Sequence, residues 1–189
     1  MVSSQGWITP PSNPGISWQN TGGNPDGYMK YDNNISYGSV ATHSIYAPSA
    51  FLGNWETLGV TGLSYGANIF TTGSVAAVGN YSAFISGPGG EYRWVGPSPN
   101  PSVSWLNLEA ALLEPGWTRV YGDWDSLLGN VTELRLVMAY YTNYTPFEIT
   151  GIDNVTLNGS SPVPEPTTML LFGIGIAGLA GARLRRKKQ

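Results

Sequence analysis

Two stretches of this chain put an apolar residue at every second position. Residues 61–71 set Leu63, Tyr65, Ala67 and Ile69 against small or polar partners. Residues 131–141 do the same with Leu134, Leu136, Met138 and Tyr140. Successive side chains of an extended chain point to opposite faces, so a period of two marks a strand buried on one side. No stretch before residue 158 carries the 3.6-residue period of a long amphipathic helix. The same reasoning predicts strands over 28–31, 43–46, 81–86, 91–95, 103–108, 117–121 and 147–157. Gly87-Pro-Gly-Gly90 supplies a hairpin loop. Short helical turns are expected at 49–55 and at 123–129, the second opened by Asp123 as N-cap and closed by Gly129. Residues 1–25 read as turns, with Asn-Pro, Gly-Gly and Asp-Gly pairs. Eight or nine short strands without a long helix predict an all-β antiparallel sandwich. It occupies residues 1–158, with 159–162 as a linker.

Charge divides the chain in two. Residues 1–160 hold four cations, Lys30, Arg93, Arg119 and Arg135, against eleven carboxylates, a net of −7. The remainder holds five cations and Glu165, a net of +4. An acidic domain argues against nucleic acid as a partner. With no cysteine there is no disulfide, thiolate metal site or cysteine nucleophile. The start, Met1-Val-Ser-Ser-Gln-Gly-Trp7, has neither a basic n-region nor an apolar run, so an export signal is expected upstream of it.

The tail has three parts in order. Val163, Pro164, Glu165 and Pro166 break the chain. No residue from Pro166 to Ala182 is charged, and Thr167 to Ala182 reads as a single C-terminal transmembrane helix. Its reach of roughly 25 Å at 1.5 Å per residue is just short of a ~30 Å hydrocarbon core. Arg183, Arg185, Arg186, Lys187 and Lys188 then form a basic stop that favours the cytoplasmic side. This triplet, apolar run and basic end closely resemble the PEP-CTERM sorting signal. The resemblance implies exosortase as a partner and processing near Pro164, Glu165 and Pro166. It places the protein in the cell envelope of a Gram-negative bacterium, at the inner membrane before processing and at the outer surface or outside afterwards.

A second resemblance lies in Gly22-Gly-Asn-Pro-Asp-Gly-Tyr28, Ala47-Pro-Ser-Ala-Phe-Leu-Gly-Asn-Trp55 and Leu63-Ser-Tyr65, which look like the laminin B (domain IV) family. Ile149-Thr-Gly-Ile-Asp-Asn-Val-Thr-Leu157 is similar to the last strand of galactose-binding-like jelly rolls. These imply a jelly-roll β-sandwich used for binding or adhesion, with no catalysis.

Seven tryptophans and eleven tyrosines supply candidate sugar-stacking faces. Trp94, Trp105, Trp117 and Trp124 lie near predicted loops, beside Arg93, Asn107, Asp123 and Asp125. The competing reading is core packing, which strand register decides. Asp26, Asp32 and Asp153 are candidate ligands for a structural calcium, with turn hydrogen bonding as the alternative. No other cofactor is expected. His43, the only histidine, sits in a strand-like stretch without a Gly-x-Ser-x-Gly elbow, which leaves no Ser-His-Asp triad in view. Glu91, Asp123, Asp125 and Glu148 are available to a glycan-active hydrolase, yet no spacing singles out a pair. The sequence therefore points to an exported, non-catalytic binding domain, with polysaccharide of a biofilm or exopolysaccharide matrix as its expected partner. A hydrolase, or a coat protein without a small ligand, is the alternative.

Overall fold

The structure, a computed structural model, describes residues 6–9, 15–32, 43–71, 79–99, 104–140 and 148–159. The sorting triplet, the apolar run and the basic end lie outside the described residues. So do the ends of three predicted strands, at Val103, Tyr141 and Phe147. Residues 1–159 form one compact unit.

Among the described residues, ten strands build two five-stranded sheets, and every pairing is antiparallel. They are β1 (Ile16–Gln19), β2 (Tyr28–Asp32), β3 (Ser44–Tyr46), β4 (Val60–Thr71), β5 (Ser82–Gly87), β6 (Gly90–Val95), β7 (Leu106–Ala111), β8 (Trp117–Gly122), β9 (Glu133–Val137) and β10 (Ile149–Gly159). The first sheet has the order β1-β2-β10-β4-β7, the second β3-β9-β5-β6-β8. The predicted antiparallel sandwich is what forms.

The alternation seen in the sequence becomes the core. Leu63, Tyr65, Ala67 and Ile69 of β4 are all buried, in one core cluster with Ala83 and Ile85 of β5 and Leu134 and Leu136 of β9. Each large apolar side chain withdrawn from water stabilises the fold by roughly 1.5–3 kcal/mol. Trp55 is fully buried, and its indole N–H donates to the Phe51 carbonyl at 2.9 Å, which satisfies its one polar atom. Phe51 closes a 3-10 turn, Ser49–Phe51, where a helical turn was expected. The second expected turn is α1 (Trp124–Leu128), with the Asp123 side chain accepting from the Ser126 N–H at 2.9 Å. That bond, with a second from the Ser126 side chain, holds the Asp123 carboxyl below its ordinary value.

Three elements differ from expectation. β1 was read as turn; its four residues are too few to show a period, and they pair only with β2 at the sheet edge. β7 begins at Leu106, because Trp105 leaves the ladder to lie against the neighbouring strands. β9 ends at Val137, although Met138 and Tyr140 are buried as predicted. The Met138 N–H still donates to the His43 carbonyl at 2.7 Å, and side chains take the next backbone groups. The Glu148 carboxylate accepts from the Tyr140 N–H at 2.8 Å, and the Thr150 hydroxyl donates to the Met138 carbonyl at 2.6 Å.

Candidate glycan-binding face

On β4 the odd positions face the core, so Ser64, Gly66, Asn68 and Phe70 belong to the outer face of the first sheet. Register places Gly151 of β10 beside Asn68, and Asp153 beside Gly66. Two glycines thus adjoin on one face, and Trp105 occupies the space they leave. A Cβ on Gly151 would stand 2.8 Å from Trp105 Cη2 and 2.7 Å from Tyr28 Cδ2; one on Gly66 would stand 3.4 Å from Trp105 Cε3. Tyr28 and Phe70 flank the indole, with ring centroids 5.4 and 5.8 Å away and interplanar angles of 77° and 84°. Tyr28 and Phe70 also touch each other at 5.4 Å. The three rings therefore form a corner and not a flat platform. Phe70 is 36% exposed and Trp105 is half-buried, so the corner is open to solvent. Partial burial pushes the Tyr28 hydroxyl above its ordinary value; Lys30 opposes the rise and Asp32 adds to it. Lys30 and Asp32 pair at 2.7 Å on the same face.

Of the four candidate tryptophans, only Trp105 meets this description. Trp117 and Trp124 are core residues, 5% and 8% exposed, packed on each other at 6.0 Å. Trp124 also meets buried Tyr92 at 4.9 Å, and the Trp117 N–H donates to the Ala111 carbonyl at 2.9 Å. Trp94 shares the inward face of β6 with Tyr92; it meets Tyr65 edge-on at 6.3 Å and folds over Gly96. The four do not assemble into one site, because strand parity turns Trp94 and Trp117 inward and Trp124 lies on the buried face of α1. Tyr28 and Phe70 were missed. Their signal was present as even-numbered aromatics on strands whose odd positions are the apolar set.

Asp26, Asp32 and Asp153 do not converge either. Asp26 is exposed, and Asp32 lies at the far end of β2, beside Ile149, while Asp153 follows Ile152, the partner of Met29. Asp153 fastens a loop. Its Oδ2 accepts from the Asn24 N–H at 2.6 Å and its Oδ1 from the Asn154 N–H at 2.8 Å, while the Asn154 side-chain amide donates to the Asn24 carbonyl. Among the described residues no three His, Asp or Glu side chains are grouped to hold a metal. His43 is buried and stacks on Tyr31 at 4.7 Å. The carboxylates considered for hydrolysis are likewise scattered. Glu148 is fully buried, Asp123 caps α1, and Glu91 sits 3.4 Å from Arg135.

The second sheet has an outer face of another kind. Arg135, Phe84 and Arg93 stand in one cross-strand row. Both guanidinium groups lie over the Phe84 ring, at 4.0 and 5.4 Å from its centroid. Arg93 also donates to the Ser82 hydroxyl at 2.9 Å.

Residues 162–187 match the PEP-CTERM protein-sorting motif. The motif implies an exported protein of the Gram-negative cell envelope that is recognised by exosortase. No curated protein matches the chain. Among solved structures, the L4b domain of human laminin alpha-2 is similar in fold. It is 12% identical with a TM-score of 0.60, over 82% of this chain and 97% of that domain. This bears out the laminin domain IV resemblance at the level of fold. Weaker likenesses are an exo-beta-agarase and a family 11 carbohydrate-binding module from Clostridium thermocellum in complex with a beta-1,3-1,4-mixed-linked tetrasaccharide. The agarase has a TM-score of 0.47 and 11% identity, over 84% of this chain and 26% of that one. The module has a TM-score of 0.43 and 18% identity, over 76% and 82%.

Proposed function

We propose that this chain is an exosortase-processed surface or matrix protein whose jelly-roll domain binds neutral glycan without catalysis, within an exopolysaccharide or biofilm matrix. The sorting motif supports the destination. The observation that carries the binding role is Trp105, held half-exposed over Gly66 and Gly151 with Tyr28 and Phe70 as side walls. A sugar ring presents a C–H face that packs on an aromatic face, and its rim of hydroxyls needs polar neighbours. Asn68 and Asn107 supply these on the same sheet face. Stacking and hydroxyl hydrogen bonds are enough for this mode, and it requires no metal ion.

Affinity electrophoresis of the full chain in mild detergent, through gels cast with neutral polysaccharides, tests the reading. Trp105→Ala is expected to weaken retention about tenfold, roughly 1.4 kcal/mol, while Trp94→Ala leaves retention unchanged in protein that remains folded. Equal retention of Trp105→Ala and the parent would remove this face from the binding role. No retention of the parent by any neutral polysaccharide would favour a coat protein without a small ligand.

A further inference from the structure

A cavity of about 240 Å³ adjoins the Trp105 corner. Exposed Ser98, Ser104 and Leu106 form its mouth, and buried Ala67, Asn68, Ile69 and Tyr81 its floor. Asn68 is 3% exposed, and its Oδ1 has no hydrogen-bond partner. Leaving a buried carbonyl oxygen without a donor costs roughly 1–3 kcal/mol, so the group is anomalous unless something in the cavity satisfies it. An amide whose oxygen is not held can also turn about its last torsion, which exchanges an acceptor for a pair of donors at the same place.

The cavity is also selective by size and charge. It is smaller than the ~300–1,000 Å³ of pockets for drug-sized ligands, which suits one small ring. None of the described lining residues is charged, so an anionic group would enter without a counter-ion from them, at a high desolvation cost. Its floor is core, so a chain cannot thread through. We infer that this cavity is a subsite for the terminal ring of a neutral glycan, with the Trp105 indole against the ring and the Asn68 carboxamide on a hydroxyl. The inference rests on the glycan-binding reading of the same face.

The test is a titration of the full chain in mild detergent, 15N-labelled, with glucose, galactose, mannose and N-acetylglucosamine in turn. At least one sugar is expected to shift the Asn68 side-chain amide pair and the Trp105 indole signal together and saturably. Asn68→Leu is expected to weaken that sugar at least tenfold while holding or raising the thermal midpoint, since it removes a buried polar group of similar size. Sugars that leave the Asn68 signals unmoved would overturn the subsite, and water would then be the occupant. Equal binding by Asn68→Leu would overturn it too. If polysaccharide retention still depends on Trp105 in either case, the subsite alone falls; if it does not, the binding face falls with it.

Discussion

The outer faces of the two sheets hold their aromatic side chains in opposite ways. On the first sheet, Trp105 rests on two glycines and is walled by other rings, and among the described residues none of its ring contacts is a cation. On the second, Phe84 lies beneath two guanidinium groups, and Arg135 reaches Glu91 at 3.4 Å and Glu133 at 3.6 Å. Both arrangements stabilise a ring that is not fully buried. Of these two rings, Trp105 keeps surface for a ligand, whereas cations already cover Phe84. Counting exposed aromatics would rank the faces alike; what covers each ring separates them.

The sharpest contrast lies in the glycines. Gly122, at the end of β8, has φ +89°, and a Cβ there would stand 2.1 Å from the Gly89 carbonyl oxygen and 2.2 Å from Gly90 Cα. Both obstacles are backbone of the β5–β6 hairpin and cannot step aside. The three atoms nearest a Cβ on Gly151 are all ring atoms of Trp105 and Tyr28. Gly122→Ala is therefore expected to cost about 3 kcal/mol or more from strain and clash. Gly151→Ala should cost only about 1–2 kcal/mol, with a matching loss of glycan affinity as Trp105 is pushed off its seat. Urea midpoints of both variants, with gel retention of the second, check this. Equal midpoint shifts would show that Trp105 is as rigidly fixed as the hairpin.

Next is the ring beneath the cations. Phe84→Ala removes a half-buried side chain and two cation–π contacts, so a loss of about 2 kcal/mol is expected. Glycan retention should stay at the parental level. A thermal melt and a retention gel on the same preparation suffice. A Phe84→Ala variant that loses retention as Trp105→Ala does would reverse the assignment of the two faces.

These faces were only half legible in the sequence. The buried set of β4 and β9 could be read directly, because Leu63, Tyr65, Ile69, Leu134 and Leu136 alternate without exception. The capped turn at Asp123 was readable too, since its chemistry is local. The tryptophans were not. Trp117 and Trp124 lie near loops but turn inward; for Trp117 that depends on whether β8 starts one residue earlier or later, and for Trp124 on which face of α1 meets the core. The seat of Trp105 is less legible still. It needs Gly66 and Gly151 brought together from 85 positions apart, a pairing that exists only once β4 and β10 are in register. Asp153 looked like a ligand because a carboxylate in an apolar strand needs a partner. The partner is the backbone of a loop distant in sequence, which no local pattern announces.

The smallest expected effect separates the faces by salt. Arg135 and Glu91 are each about one-fifth to one-quarter exposed, and Glu133 is 38% exposed. Arg135 Nε is buried and has no hydrogen-bond partner; at 3.6 Å the Glu133 carboxylate is an ion-pair neighbour only. Pairs this loose and this accessible contribute on the order of 0.5–1 kcal/mol. Raising the ionic strength from ~0.01 M to ~1 M shortens the screening length from ~30 Å to ~3 Å, so the urea midpoint should fall slightly. In Glu91→Gln/Glu133→Gln that decline should flatten, because no carboxylate remains beside Arg135 to be screened. Glycan affinity should hold constant across the same series, since the rings around Trp105 and the described lining of the adjoining cavity are uncharged. Affinity that falls with salt would mean that charge takes part in recognition. The ligand would then be anionic, and the arginine row over Phe84 would replace the Trp105 corner as its site.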